Sequence, residues 1–294
     1  MSVQITTAMV EQYSGNVYHL AQQRGSRLRN AVRTETVVGK NSYFEQIGST
    51  AARQRTSRHS DTPQMDTPHA RRRVSMVDYD WADLIDSEDR VRLLVDPTGP
   101  YAQAAAMAMG RALDDSVITA ADGTAYTGVA GGTSTVYDST MTVDVQVGIS
   151  PAADTGLNVG KLRAAKENLD SNDCDPDEAR FCVINAKQLS NLLAETEITS
   201  SDYNTVKALV QGEVDTFLGF NFIRTERIGT DSNSDHKVLY WAQSGMLSGI
   251  AAEPVVKISE RADKNHATQV FVSMSIGSTR MEEGLVGYIE CDPT

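Results

Sequence analysis

Cysteine is scarce in this chain: Cys174, Cys182 and Cys291 are the only three in 294 residues, an odd number with no C-x-x-C spacing. That pattern excludes a complete disulfide framework and a cysteine-rich zinc centre, and it fits a reducing compartment. Histidine is as sparse, with His19, His59, His69, His236 and His266 scattered and no pair at metal-ligand spacing. No stretch reaches the ~18 consecutive apolar residues of a membrane helix. The opening Met1-Ser-Val-Gln-Ile-Thr-Thr lacks the basic and apolar regions of a signal peptide. A protein made in the cytosol, with no membrane partner, is expected. Lysine is missing altogether from residues 41–160.

Catalytic signatures are missing too. Thr36–Ser42 holds a Gly39-Lys40 pair but neither the upstream Gly nor the following Ser or Thr of a phosphate loop, and no G-x-G-x-x-G follows a strand. Ser244, in Ala-Gln-Ser-Gly-Met, lacks the first Gly of a nucleophile elbow and reads as a helix cap. The one carboxylate cluster, Asp170-Ser-Asn-Asp-Cys-Asp-Pro-Asp-Glu178, has the oxygens calcium prefers but not the Gly at the sixth loop position, so it reads as a solvated loop. No cofactor, metal or catalytic residue is expected, and the chain does not read as an enzyme.

What is present is a strong division of charge. The net charge is -12, yet residues 1–73 carry 11 Lys or Arg against 5 Asp or Glu, a balance of +6, and residues 74–294 carry 16 against 34, a balance of -18. A basic front precedes an acidic body. Such a front either binds nucleic acid or lies on the acidic bodies of neighbouring copies. Spaced Arg among apolar and β-forming residues, in place of a Lys-rich block, favours the second. Arg71, Arg72 and Arg73 fit either use, contacting phosphates or bridging carboxylates of an adjacent subunit; on a strand no more than two of them share a face.

The most definite element is a helix opened by Pro97 or Pro100 and stopped by Gly123. Ala102, Ala106, Met109, Leu113, Val117 and Ala120 form its apolar stripe. About 22 residues make a spine of roughly 33 Å, and Gly110 at its middle admits the close approach of another backbone. Residues 4–24 predict an amphipathic helix with Ile5, Met9, Tyr13, Val17 and Leu20 on one stripe, which a partner's surface would cover. Thr34–Ile47 and Arg71–Trp81 predict two strands, the second with a change of face after Met76, joined by a polar connection over 49–70 that is long for a compact domain. A short helix is expected from Asp86 or Ser87, and short strands around the Gly131-Gly132 turn. From Leu157 the pattern becomes α/β: a helix capped by Asn158, a strand Arg180–Asn185, helices Ala186–Ala194 and Ser201–Gln211, and strands Phe217–Arg224 and Lys237–Ala242. Long strands Glu253–Glu260, Ala267–Ile276 and Glu283–Glu290 follow.

This order resembles the major capsid proteins of tailed bacteriophages, the Hong Kong 97 type of fold. The local likeness lies in Val77-Asp-Tyr-Asp-Trp-Ala-Asp-Leu-Ile-Asp86 running into Asp96-Pro-Thr-Gly-Pro-Tyr-Ala-Gln-Ala-Ala-Ala-Met-Ala-Met-Gly-Arg-Ala-Leu-Asp-Asp115. The resemblance implies an α+β fold with an N-terminal arm (1–33), an extended β-hairpin reaching neighbouring subunits (34–81), a peripheral domain with the spine helix at about 100–121 (82–139 and 251–294), and an axial α/β domain (140–250). It implies self-assembly into pentamers and hexamers of an icosahedral shell that encloses double-stranded DNA without reading its sequence. A separate scaffolding protein, a portal and cement or decoration proteins are the implied partners, and assembly is placed in the host bacterial cytoplasm. The subunit-interface candidates are Ile5, Met9, Tyr13, Val17 and Leu20 of the arm, Arg53, Arg55 and Arg58 of the connection, and Arg71, Arg72 and Arg73 of the second strand. Some relatives crosslink a hairpin Lys to a neighbour's Asn; with no Lys over 41–160, no such crosslink is expected here. A nanocompartment shell of the same fold, or a cytosolic α/β enzyme using residues 157–250, are the rival readings.

Overall fold

Helix α1 (Thr98–Asp122) runs for 25 residues, a rod of ~37 Å at 1.5 Å per residue. Its buried positions are Ala105, Met109, Leu113, Val117 and Ala121. The middle three belong to the expected stripe, whereas Ala102, Ala106 and Ala120 yield to neighbours one or three places along. The run Ala104-Ala105-Ala106 offers the same side chain at successive positions, so periodicity alone has nothing to select there. At Gly110 an added Cβ would lie 2.5 Å from the carbonyl carbon of Gly25 and 2.6 Å from the nitrogen of Ser26. The close approach is thus to the chain that precedes the hairpin. Asp114, with no exposed surface, accepts backbone N–H bonds from Arg27 at 3.0 Å and Leu28 at 3.1 Å.

The computed structural model describes residues 22–59, 61–62, 64–86, 98–148, 153–195, 216–231 and 233–293. The amphipathic helix expected over 4–24, the short helix after Asp86 and the helix over 201–211 fall wholly or largely outside them. Two compact units emerge. As described, one holds residues 22–26, 78–86, 98–113 and 252–276, and the other holds 27–77, most of 114–251, and 277–293.

The first expected strand divides into β1 (Arg33–Thr36) and β2 (Asn41–Ile47), and the second into β3 (His69–Ser75) and β4 (Val77–Ile85); β1, β2 and β3 lie in the larger unit. β2 and β3 pair antiparallel from Asn41↔Ser75 to Ile47↔His69. Two short strands around the glycine turn, β5 (Ala125–Thr127) and β6 (Thr133–Thr135), extend this to a four-stranded sheet ordered β2-β3-β5-β6. The hairpin pairing therefore ends at Ser75, and the change of face read after Met76 marks the passage to another sheet. Met76 donates its N–H to the Lys40 carbonyl at 2.8 Å at that point.

A six-stranded sheet ordered β7-β14-β11-β8-β10-β9 forms the rest of this unit, from β7 (Thr142–Val143), β8 (Arg180–Ile184), β9 (Thr216–Phe217), β10 (Phe220–Arg224), β11 (His236–Ala242) and β14 (Val286–Cys291). Helices α2 (Val159–Ser171) and α3 (Ala186–Ala194) bring Leu162, Ala165, Leu169, Leu189 and Leu192 into one core with Cys182, Phe220, Tyr240 and Ile289. Both start as the sequence indicates. Asn158 accepts from Lys161 N at 2.8 Å, and Asn185 and Gln188 form a reciprocal capping box. The final strand, expected with the peripheral domain, pairs instead with β11 and β7. Gly287 makes this possible: it sits opposite Tyr240, whose ring would be 2.4 Å from any Cβ there. Buried Lys161 donates to the carbonyls of Thr155 at 2.6 Å and Glu290 at 2.9 Å, and burial lowers its pKa.

In the smaller unit, β4 flanks the long strand β13 (Ala267–Arg280), which neighbours β12 (Met246–Arg261). Val270, Val272, Met274 and Ile276 are buried on alternate positions of β13. Beyond Ile250, where the pairing of β12 with β1 ends, the next ten residues of β12 are exposed.

Replacing Gly110 by Ala is expected to lower stability by ~1–3 kcal/mol, the range for an overpacked site, and to expose the chain near Arg24 to protease, as read by urea unfolding and limited trypsin digestion. A second expectation concerns Asp235 and Glu290, whose carboxyl pKa values are raised, first by burial and then by neighbouring carboxylates, Asp231 among them. Each binds its proton more readily in the folded protein, so its stabilising contribution is full below the ordinary values of 3.8 and 4.5 and is lost as pH rises through the raised values. Asp235→Asn should therefore raise the melting temperature at neutral pH more than in mild acid, measured by calorimetry across that window.

Candidate assembly surfaces

Alternation along β2 and β3 gives the hairpin sheet two different faces. One carries Tyr43, Glu45, Arg71 and Arg73, with Tyr126 supplied by β5. Arg71 pairs with Glu45 at 2.5 Å and lies 5.7 Å from the Tyr43 ring centre. Arg73 stacks 4.4 Å above the Tyr126 ring. Such guanidinium–ring stacking holds cations in place while leaving their edges free for further contacts. Ile47 and Val129, both exposed, add apolar surface to the same region.

The opposite face is closed by the chain itself. Gln46 Nε2 and Arg72 Nε each donate to the Met281 carbonyl at 2.8 Å, and Val74 packs with Leu247 and Met281. Arg72 also pairs with Glu283 at 2.6 Å. Expected at a subunit interface, Arg72 is buried and engaged within its own subunit. Its parity on β3 is opposite to that of Arg71 and Arg73, which is why the three cannot share one role.

Glu283 serves a second guanidinium. Arg280, whose side chain has no exposed surface, donates through Nε to Glu283 and through Nη1 to the carbonyls of Ala121 and Gly123, both at 2.9 Å. Those carbonyls end α1, where a cation complements both the unpaired acceptors and the helix dipole. The Tyr137 ring lies 5.6 Å from the Arg280 guanidinium carbon. Sequence reading singled out neither Arg280 nor Glu283; apart from their own i,i+3 pair, the partners they tie together are 159 and 211 residues away in the chain.

Of the remaining candidates, Arg53, Arg55 and Arg58 are exposed, with Arg55 donating to the nearby Ser57 carbonyl at 3.0 Å. Ile5, Met9, Tyr13, Val17 and Leu20 lie outside the described residues. The carboxylates of the 170–178 cluster serve local structure: Asp170 pairs with Arg180 at 2.7 Å, Asp175 caps Asp177 N at 3.0 Å, and Glu178 accepts from Ser244 N. Ser244 lies in a short 3-10 turn, Gln243–Gly245. Among the described residues no three His, Cys, Asp or Glu side chains are grouped to hold a metal ion. The three cysteines are free and buried, and burial raises their thiol pKa values, that of Cys291 to about 12. One face of the hairpin sheet is locked inward, and the other presents cations and rings outward.

Replacing Glu283 by Ala removes the carboxylate that binds the two buried guanidiniums of Arg72 and Arg280. We expect a loss of ~3 kcal/mol, the lower end for a broken buried pair because Glu283 keeps 22% of its side chain exposed; Glu283→Gln, which retains an acceptor, should lose less in the same urea titration.

The fold recurs in solved phage structures. The capsid of cyanophage P-SCSP1u superposes with a TM-score of 0.74 at 15% identity, over 99% of this chain and 95% of that one. The capsid of cyanophage Pam1 gives 0.71 at 14% identity over 98% of both, and a Mycobacterium phage Che8 structure gives 0.71 at 13% identity over 96% of both. The fold is thus the Hong Kong 97 type shared by tailed-phage capsids. No curated protein sequence matches the chain. The family model for phage capsid proteins matches residues 5–293, and on that match the chain belongs to the phage capsid protein family.

Proposed function

We infer that the chain is the shell-building unit of a tailed phage, assembling in the host cytoplasm into pentamers and hexamers that close around double-stranded DNA. The observation that carries this reading is the capsid-family match over nearly the whole sequence. The outward Arg–Tyr face of the hairpin and the exposed apolar residues Ile47, Val129, Val255 and Ile258 support it, since a solitary subunit leaves them in water. In this reading the first 33 residues are an arm, the hairpin reaches neighbouring subunits, α1 with the long strands forms the peripheral part, and the six-stranded sheet forms the axial part. Scaffolding, portal and decoration proteins are its expected partners.

Charge suits the role. An acidic body repels a DNA polyanion and keeps it mobile inside, where a basic lining would bind it. Complementary charge between copies contributes more to correct pairing than to raw affinity, and many weak contacts that close a shell add up.

Purified protein examined by light scattering and negative-stain microscopy at rising concentration is expected to give capsomers or closed particles. A compact monomer at every concentration would overturn the assignment.

A further inference from the structure

The described basic residues of the front third are not equally available. Arg72 is buried against Glu283, Arg71 pairs with Glu45, and Arg33 pairs with Glu35 at 2.7 Å. Arg73 is stacked on Tyr126, and Arg27 donates to the Arg224 carbonyl. Arg53, Arg55 and Arg58 are different: all three are exposed, none has an ion-pair partner among the described residues, and no carboxylate occurs between Gly48 and His59.

A matching set of unused carboxylates lies on β4. Between Val77 and Asp86 the chain has Asp78, Asp80, Asp83 and Asp86 and no Lys or Arg, and all four are exposed. None has an ion-pair partner among the described residues; Asp83 accepts only from the N–H of Leu84, at 2.8 Å. β4 is the end strand of its sheet, so one edge of N–H and C=O groups is open to another strand. Asp78 and Asp80, two residues apart, share a face, and so do Arg53 and Arg55 wherever their segment is extended. The steps from Arg53 to Arg55 to Arg58 are two and three, as are those from Asp78 to Asp80 to Asp83. The chain has no regular structure over 51–56, bends at Ser57 and turns at Arg58, so a parallel alignment from Arg53 to Arg55 would set these two guanidiniums opposite Asp78 and Asp80.

Resting on the shell reading above, we propose that residues 53–56 of one copy lie along the acidic edge strand β4 of a neighbouring copy, with Arg53 and Arg55 facing Asp78 and Asp80. The occupant of β4 is a strand-like basic segment, since main-chain hydrogen bonds to an open edge supply affinity and side-chain charge supplies register. Nucleic acid does not suit that place, because the Asp78 and Asp80 carboxylates would face its phosphates.

The test uses full-length chains in which Arg55→Cys and Asp80→Cys are made separately, with tags of different size, then mixed, assembled and treated with a short bismaleimide. All three native thiols are buried, so the introduced ones are the reactive pair. The expected result is a heterodimeric crosslink in assembled particles on denaturing electrophoresis. Particles without it, or a crosslink formed only when both cysteines are on one chain, overturn the pairing. Wild-type protein that never assembles overturns the shell reading and the pairing with it. As an independent arm, Asp78→Lys with Asp80→Lys should cut particle yield about tenfold or more, and adding Arg53→Glu with Arg55→Glu should restore it; yield unaffected by the first pair also overturns the pairing.

Discussion

A single carboxylate holding two guanidiniums is the constraint around which the larger unit is arranged. Glu283 binds Arg72, from the base of the hairpin, and Arg280, which in turn covers the last carbonyls of α1. Three distant stretches of sequence thus share one buried charge balance. Neither guanidinium could stay out of water without the carboxylate, and the carboxylate could not sit between them without both. The arrangement fixes which face of the hairpin sheet turns inward. Once Arg72, Gln46 and Val74 are committed to Met281 and its neighbours, the pleat compels Tyr43, Arg71 and Arg73 to point away.

That division of faces turns an overall charge imbalance into something directional. A basic front and an acidic body could describe a loosely sticky molecule. Here Arg33, Arg71 and Arg72 are paired and Arg73 is stacked within the subunit, while the exposed Arg53, Arg55 and Arg58 share a short loop and β4 carries exposed carboxylates of its own. Specificity between identical copies needs such economy, because charges already satisfied at home neither attract a neighbour nor misdirect it.

Much of the fold was legible because local signals and tertiary demands agree. Asn158 and Asn185 start their helices where a short polar acceptor precedes an apolar repeat, and Gly110 lies under the one backbone approach its missing side chain permits. The stripe on α1 was read correctly at Met109, Leu113 and Val117, where the residues differ from their neighbours, and displaced where alanines are interchangeable. Other features had no local signature. The return of Val286–Cys291 to the six-stranded sheet depends on a glycine opposite Tyr240, and the Glu283 cluster depends on residues far apart in the chain. A reading by periodicity recovers elements, and by charge it recovers regions. It has no means of pairing residues across the intervening chain, which is why Arg72 was grouped with Arg71 and Arg73 although its parity sends it elsewhere.

The position of β14 also governs when the subunit becomes complete. This strand occupies the gap between β11 and β7, yet it is translated after both of them and after every other strand of their sheet. A chain terminated before Val286 would carry this layer in two pieces, with the buried Val286 and Ile289 missing from its core.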